Sequence, residues 1–161
     1  MELREYKKEN FNDLIKCMEE LQDYLVKIDP LKREIRKPEY GKNYVLNLLK
    51  EVNKNKGIIY LAFDKNKFVG CVAGNIKNTT KNQELDCIKT RIGRILELVI
   101  FPEYRGKGLS NILMKKIEDY LIKEKCNVIK IEVMAYNKIA YNLYKKYNYE
   151  DRMIDLIKVL K

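Results

Sequence analysis

The apolar positions change period several times along the chain, and each change marks an element. Residues 1–6 (MELREY) alternate, with Met1, Leu3 and Tyr6 apolar, and are predicted to form a short strand. Phe11, Leu14, Ile15, Met18, Leu21, Leu25 and Val26 recur at helical spacing, so a helix is predicted over Phe11–Lys27 with Asn10 as its N-cap. Residues 28–38 carry two prolines and read as a loop. A second helix follows over Glu39–Asn53, with Tyr44, Val45, Leu48, Leu49 and Val52 on one side. At Gly57 the period shifts: GIIYLAFD and KFVGCVAGNI are apolar and β-rich, and the turn signal Asp64-Lys65-Asn66-Lys67 joins them into a hairpin. Residues 77–89 are polar and read as a loop. Arg91–Phe101 is the next strand, closed by Pro102. Leu109, Ile112, Leu113, Ile117, Tyr120 and Leu121 form one stripe of a helix over Gly108–Lys125. A strand over Asn127–Met134, a helix over Asn137–Tyr147 and a final strand over Arg152–Leu160 complete the pattern.

The predicted order is β-α-α-β-β-β-α-β-α-β. A strand, a crossover helix and a strand in the second half imply a parallel pair, while the central hairpin is antiparallel, so the sheet is mixed. The expected class is α/β (α+β), with helices on both faces. At 161 residues the chain suits one domain over 1–161, burying roughly 70% of the surface its unfolded form would expose. No apolar run approaches the ~20 residues of a membrane span, and the charged start MELREYKKENF lacks an apolar leader core, so the expected location is the cytoplasm.

Composition narrows the chemistry. There is no His, which excludes Ser-His-Asp and Cys-His nucleophile systems and His-ligated zinc. The four cysteines, Cys17, Cys71, Cys87 and Cys126, form no C-x-x-C pair and read as small buried hydrophobes; no metal site is expected. Proton transfer must then fall to Asp, Glu, Tyr, Lys, Cys or water. The formal net charge is +10, but 26 of the 33 basic residues are lysines spread over the whole chain. Nucleic-acid binders more often cluster Arg on one face with interleaved aromatics, so the charge argues against a dedicated nucleic-acid function.

One segment concentrates chemistry. Phe101-Pro102-Glu103-Tyr104-Arg105-Gly106-Lys107-Gly108-Leu109-Ser110 joins a buried strand to an amphipathic helix. Its two glycines permit a tight turn and close approach to a ligand, and the first N–H groups of the helix have no intrahelical partners. Such a corner suits a phosphate or pyrophosphate. The P-loop spacing G-x-x-x-x-G-K-[ST] is absent, and Asn111 stands where a dinucleotide fingerprint needs its third glycine. Taken alone, the two glycines read as a plain tight turn.

They are not alone. Arg105-x-x-Gly108-x-Ser110, preceded by Leu98-x-Ile100-x-Pro102, closely resembles the acetyl-CoA motif of the GNAT superfamily of N-acetyltransferases. Ile131-Glu132-Val133, then Asn137, Ala140, Leu143-Tyr144 and Lys146-Tyr147-Asn148-Tyr149, is similar to that family's second conserved stretch. Ser110 replaces the usual Gly or Ala but is small. Asn148 replaces a Gly, and Asn is the next-best residue for a left-handed cap.

The resemblance implies direct acetyl transfer from acetyl-CoA to an amine. It implies that the N–H groups of Arg105, Gly106, Lys107, Gly108, Leu109 and Ser110 hold the pyrophosphate. The backbone of Leu98, Val99 and Ile100 would pair with the pantetheine arm, and an N–H near Val99 would face the thioester carbonyl. Asn137 would lie near the arm and also cap its helix, and Tyr144 would be the general acid. Glu97, Glu132 or water would serve as base. Leu96, Leu98 and Ile100 occupy the face opposite Glu97. The acceptor would be a small-molecule amine or a peptide, and a homodimer is admitted. A protein lysine or N-terminal acetyltransferase and a non-catalytic acetyl-CoA-binding module are the other readings.

Overall fold

A computed structural model describes residues 1–160. Five strands and four helices run in the order β1 (Glu2–Glu5), α1 (Phe11–Ile28), α2 (Tyr40–Lys54), β2 (Ile58–Asp64), β3 (Lys67–Asn78), β4 (Arg91–Ile100), α3 (Leu109–Lys123), β5 (Val128–Ile131) and α4 (Lys138–Lys146). The strands form one sheet in the order β1-β2-β3-β4-β5. The first three pairings are antiparallel, and β4 and β5 are parallel. This is the expected mixed α/β sheet.

Two apolar layers sandwich the sheet. On one face Leu14, Cys17 and Met18 of α1 and Val45, Leu48 and Val52 of α2 pack on Leu61, Phe63, Cys71 and Val99. On the other, Leu109, Leu113, Met114, Ile117 and Leu121 of α3 and Tyr144 of α4 pack on Tyr60, Val72, Ile76 and Ile95. Those layers are the helical stripes and strand alternations of the sequence turned inward. Cys17 and Cys71 are fully buried, whereas Cys87 is exposed and Cys126 half-buried, so the buried-hydrophobe reading holds for two of the four. Asn10 stands at the start of α1, but its Oδ1 accepts the Lys7 N–H at 3.2 Å instead of capping the helix.

Three features separate the structure from the pattern, and the first two make the site. Ala73 opposes Glu97 and Gly74 opposes Ile95, which leaves Leu96 as an extra residue in β4, a β-bulge. Ile95 therefore packs on the α3 side while Leu96 and Val99 pack on the α1–α2 side, and Leu98 and Ile100 return to the α3 side. Leu96 thus shares the face of Glu97, contrary to simple alternation. Second, β5 stops at Ile131 instead of Met134, so residues 96–100 of β4 have β3 on one edge and no strand on the other. Third, the final strand over Arg152–Leu160 is not formed. A strand exists by pairing, and this segment pairs with no strand among the described residues. Met153, Ile154, Leu156 and Leu160 remain 78–88% exposed.

Candidate active site

The gap beyond Ile131 is bordered by unpaired main chain. The Phe101 N–H donates to the Val69 carbonyl at 3.0 Å, so strand alternation turns the main-chain groups of Val99 and Glu97 toward β3 and those of Leu98 and Ile100 into the gap. A Cβ at Gly70 would collide with the Val99 carbonyl, which confirms that direction. Of the three residues assigned to the pantetheine arm, Leu98 and Ile100 therefore offer groups to the gap and Val99 does not. The N–H expected near Val99 is that of Leu98. The Ile100 carbonyl is taken by Arg105 Nε at 2.8 Å.

That bond shows what the Arg105 side chain does. It ties the end of β4 back to α1, where its guanidinium lies 3.5 Å from Glu20 and 5.3 Å from the Tyr24 ring centroid. The Arg105 N–H donates to Pro102 in a turn of 3-10 helix, so it is not free. The next five N–H groups, of Gly106, Lys107, Gly108, Leu109 and Ser110, have no acceptor among the described residues. They lie at the positive end of the α3 dipole. Gly106 and Gly108 are left-handed, at φ +74° and +79°, and nothing lies within 4 Å of where a Cβ would stand, so the inner side of the loop is open.

Side chains from both faces meet at this gap. Asn137 caps α4 by accepting the Ala140 N–H at 3.3 Å, and the Tyr24 hydroxyl of α1 approaches the same oxygen at 3.5 Å. Glu97 is 7% exposed. Burial pushes its carboxyl up to about 7, and the hydrogen bond donated by Tyr44 of α2 restrains the rise. Burial, and then the Glu97 charge, push the Tyr44 phenol far up; the same causes raise Tyr40, stacked 5.3 Å away, to about 12. Tyr144 lies at 8% exposure on the other face, and burial and the Glu97 charge raise it to about 12. Glu97 and Tyr144 thus lie on opposite faces of the sheet, and the Glu97 charge is felt at Tyr144 where β4 has no strand on its outer edge.

Glu132 is a different carboxylate. It follows the last residue of β5 with its side chain 68% exposed, 2.9 Å from Lys130 and 3.7 Å from Arg94. The Lys130 hydrogen bond and both positive charges hold its carboxyl below the usual range. It lines the outer part of an open cleft of about 480 Å³, whose walls come from α2, β3, β4 and β5 and whose inner wall includes Tyr44 and Glu97. The sequence missed Tyr44 as a site residue, since a tyrosine in the apolar stripe of a helix reads as core. Arg94 and Lys130, in β4 and β5, were missed for want of any local motif. No trio of Cys, Asp or Glu able to hold a metal occurs among the described residues.

A strand with an open edge, a glycine corner of free N–H groups and a buried acid–phenol pair define an acyltransferase architecture. The profile of the acetyltransferase (GNAT) family matches residues 16–149, and the chain belongs to that family. Solved structures share the fold at low identity. A mutant of the BH1408 protein from Bacillus halodurans superposes with a TM-score of 0.86 at 14% identity, over 100% of both chains. The aminoglycoside antibiotic 6'-N-acetyltransferase AAC(6')-IG from Acinetobacter haemolyticus gives 0.71 at 13%, again over 100% of both. AAC(6')-Iy, solved with the bisubstrate analogue CoA-S-monomethyl-acetylneamine, gives 0.68 at 12%, over 99% of this chain and 98% of that one.

Proposed function

We propose that residues 1–161 act as one N-acetyltransferase domain that moves an acetyl group from acetyl-CoA directly to a primary amine of a small molecule. The observation that carries this reading is the gap itself, where an open β4 edge carrying the buried carboxyl of Glu97 runs into a corner of five free N–H groups. These residues fit acetyl-CoA. The N–H groups of residues 106–110 would hold the pyrophosphate on the open side of the glycine corner, and Leu98 and Ile100 would pair with the amides of the pantetheine arm. Acetyl-CoA, when bound, supplies an acetyl thioester open to attack by an amine. The Leu98 N–H on the open edge is the donor available to the carbonyl oxygen as it becomes negative.

The base can be sized. An alkylamine of pKa ≈ 10.4 costs about 4.6 kcal/mol to deprotonate at pH 7. Glu97, raised to about 7, is half ionised at neutrality and is the carboxylate matched to that task. Glu132, exposed, ion-paired and lowered, is poorly matched. Tyr144, raised to about 12, stays neutral at every working pH. Complete transfer of its proton to a thiolate of pKa ≈ 8.5 is uphill by about 3.5 units, roughly 5 kcal/mol, so its part is a hydrogen bond to the departing sulfur as charge builds there. The reading places the enzyme in the cytoplasm, and the exposed apolar side chains at residues 153–160 support a homodimer. No helix of the described residues is long and apolar enough to cross a membrane.

Release of free thiol from acetyl-CoA in the presence of primary amines tests the proposal, with the exposed Cys87 accounted for by an enzyme-only blank. Amine-dependent release supports it. The absence of both thiol release and any rise in melting temperature with acetyl-CoA overturns it.

A further inference from the structure

We propose that the acceptor is a primary amine that also carries an anionic group, a carboxylate or a phosphate, with Arg94 and Lys130 holding that group while Glu97 receives the ammonium. The inference rests on the acetyltransferase reading and adds the acceptor class.

The floor of the cleft carries it. In the β4–β5 register Arg94 stands directly opposite Lys130, and Lys77 stands on the next strand, β3. All three line the cleft facing α2. Like charges side by side on neighbouring strands repel, and a sheet tolerates them where an anion lies between. Glu132 partly fills that place, 2.9 Å from Lys130 and 3.7 Å from Arg94. It does so from an exposed position beyond the end of β5, from which it can swing into solvent. Lys77 is turned to Glu51 at 3.3 Å. The inner wall holds the opposite sign, Glu97 beneath Tyr44. Glu97 is therefore the carboxyl at the end of the cleft next to the gap, while farther out Lys77 is paired with Glu51 and Arg94 and Lys130 share the exposed Glu132.

An amine entering with its ammonium toward Glu97 places whatever follows it against Arg94 and Lys130. Arg94 and Glu97 stand three positions apart on β4, at most about 10 Å of strand, and the Arg and Lys side chains reach back over part of it. An anionic group several bonds from the amine meets both cations there, whereas the second charge of a diamine or polyamine meets them as like charges. With Lys77 held by Glu51, it is Arg94 and Lys130 that oppose a polycationic acceptor, despite the fold shared with aminoglycoside acetyltransferases.

Matched acceptors isolate the anion. Thiol release from acetyl-CoA is measured with 5-aminovalerate against cadaverine, which replaces the carboxylate by a second ammonium, and with glucosamine 6-phosphate against glucosamine. Spermidine serves as the polycation. The expected result is a kcat/KM at least about tenfold higher for an anionic member than for its partner; the carboxylate and phosphate arms tell which anion is meant. Arg94→Gln and, independently, the more exposed Lys130→Gln raise the KM of that acceptor about tenfold, the size of a charge-assisted hydrogen bond, with kcat within twofold. Acetyl-CoA raises the melting temperature of each variant as it does that of the wild type. Preference for cadaverine or spermidine, or an unchanged KM in both variants, overturns the inference. Absence of release with all five acceptors, with acetyl-CoA still stabilising the protein, overturns the acceptor class and leaves the acetyl-CoA site standing. Loss of that stabilisation as well overturns the reading beneath it.

Discussion

Glu97 and Glu132 line the same cleft and have opposite chemistry. Glu97 follows the bulge in β4 and is turned under α2, where burial raises it to about 7 and Tyr44 donates to it. Glu132 follows the end of β5, in water, between two cations that lower it. A short run of residues flanks each, both sit at the gap between the same two strands, and the side chain is identical. Environment separates them. Desolvation withholds solvation from the ionised form and produces a base poised near neutrality; exposure with two positive neighbours produces a carboxylate that stays ionised and binds protons weakly. The cost of the first arrangement falls on stability, which makes the difference measurable in two ways.

The largest expected effect is on rate. Glu97→Gln keeps the shape and the hydrogen bond from Tyr44 but removes the base, and kcat with an alkylamine should fall about 10³-fold near neutral pH. In the wild type the rate should decline as pH drops below about 7, where Glu97 takes a proton; the variant should lack that limb. A rate–pH profile unchanged by the substitution would remove Glu97 from the chemistry. The same substitution should move stability in the other direction. Glu97 is raised in the folded state, so the native protein holds this proton more tightly than the unfolded chain does. Its stabilising share is present below the unfolded value of 4.5 and is lost as pH climbs through about 7. At pH 8 the folded state therefore carries an ionised buried carboxylate at a cost of about 3 kcal/mol, which glutamine does not carry. Denaturant unfolding should show Glu97→Gln more stable than wild type at pH 8, with the gain much reduced at pH 5.

How much of this could be read beforehand follows the same division between local and non-local causes. The glycine corner was legible because its requirement is local: a left-handed turn before an amphipathic helix needs Gly at 106 and 108. Asn148 adopts φ +60° after α4, the conformation for which Asn is the nearest substitute for Gly. The Asn137 cap was legible for the same reason. The bulge at Leu96 was not, since the extra residue exists only in the pairing with β3. It sets the face of Leu96 and places Leu96 and Glu97 together under α2. The final strand failed for the converse reason. Residues 152–160 have strand composition, but no edge among the described residues pairs with them. Tyr44 was hidden by being apolar in spacing and polar in role.

Tyr144 tests the other side of the gap with a smaller effect. Tyr144→Phe deletes one hydroxyl from a buried, apolar setting and should lower kcat about 10²-fold through loss of the hydrogen bond to sulfur. The ring remains in its packing against Tyr149, so the melting-temperature rise produced by acetyl-CoA should be nearly unchanged. Single-turnover acetyl transfer at saturating acceptor measures this directly, and a wild-type rate would leave Tyr144 as core alone.

The smallest effect belongs to Glu132 and has the opposite sign. If Glu132 were the base, Glu132→Gln would cost orders of magnitude in kcat. If it is the exposed counterion of Arg94 and Lys130, its removal frees both cations for an incoming anion. Exposed ion pairs are worth about 0.2–1 kcal/mol, because water competes for both partners. Replacing Glu132 by glutamine should therefore lower the KM for an anionic amine no more than about fivefold, with kcat within twofold, and added salt should shrink the gain by screening the freed cations. Steady-state kinetics at two ionic strengths separates the roles: a fall in kcat assigns the base to the rim, and a fall in KM alone assigns it to the buried carboxylate.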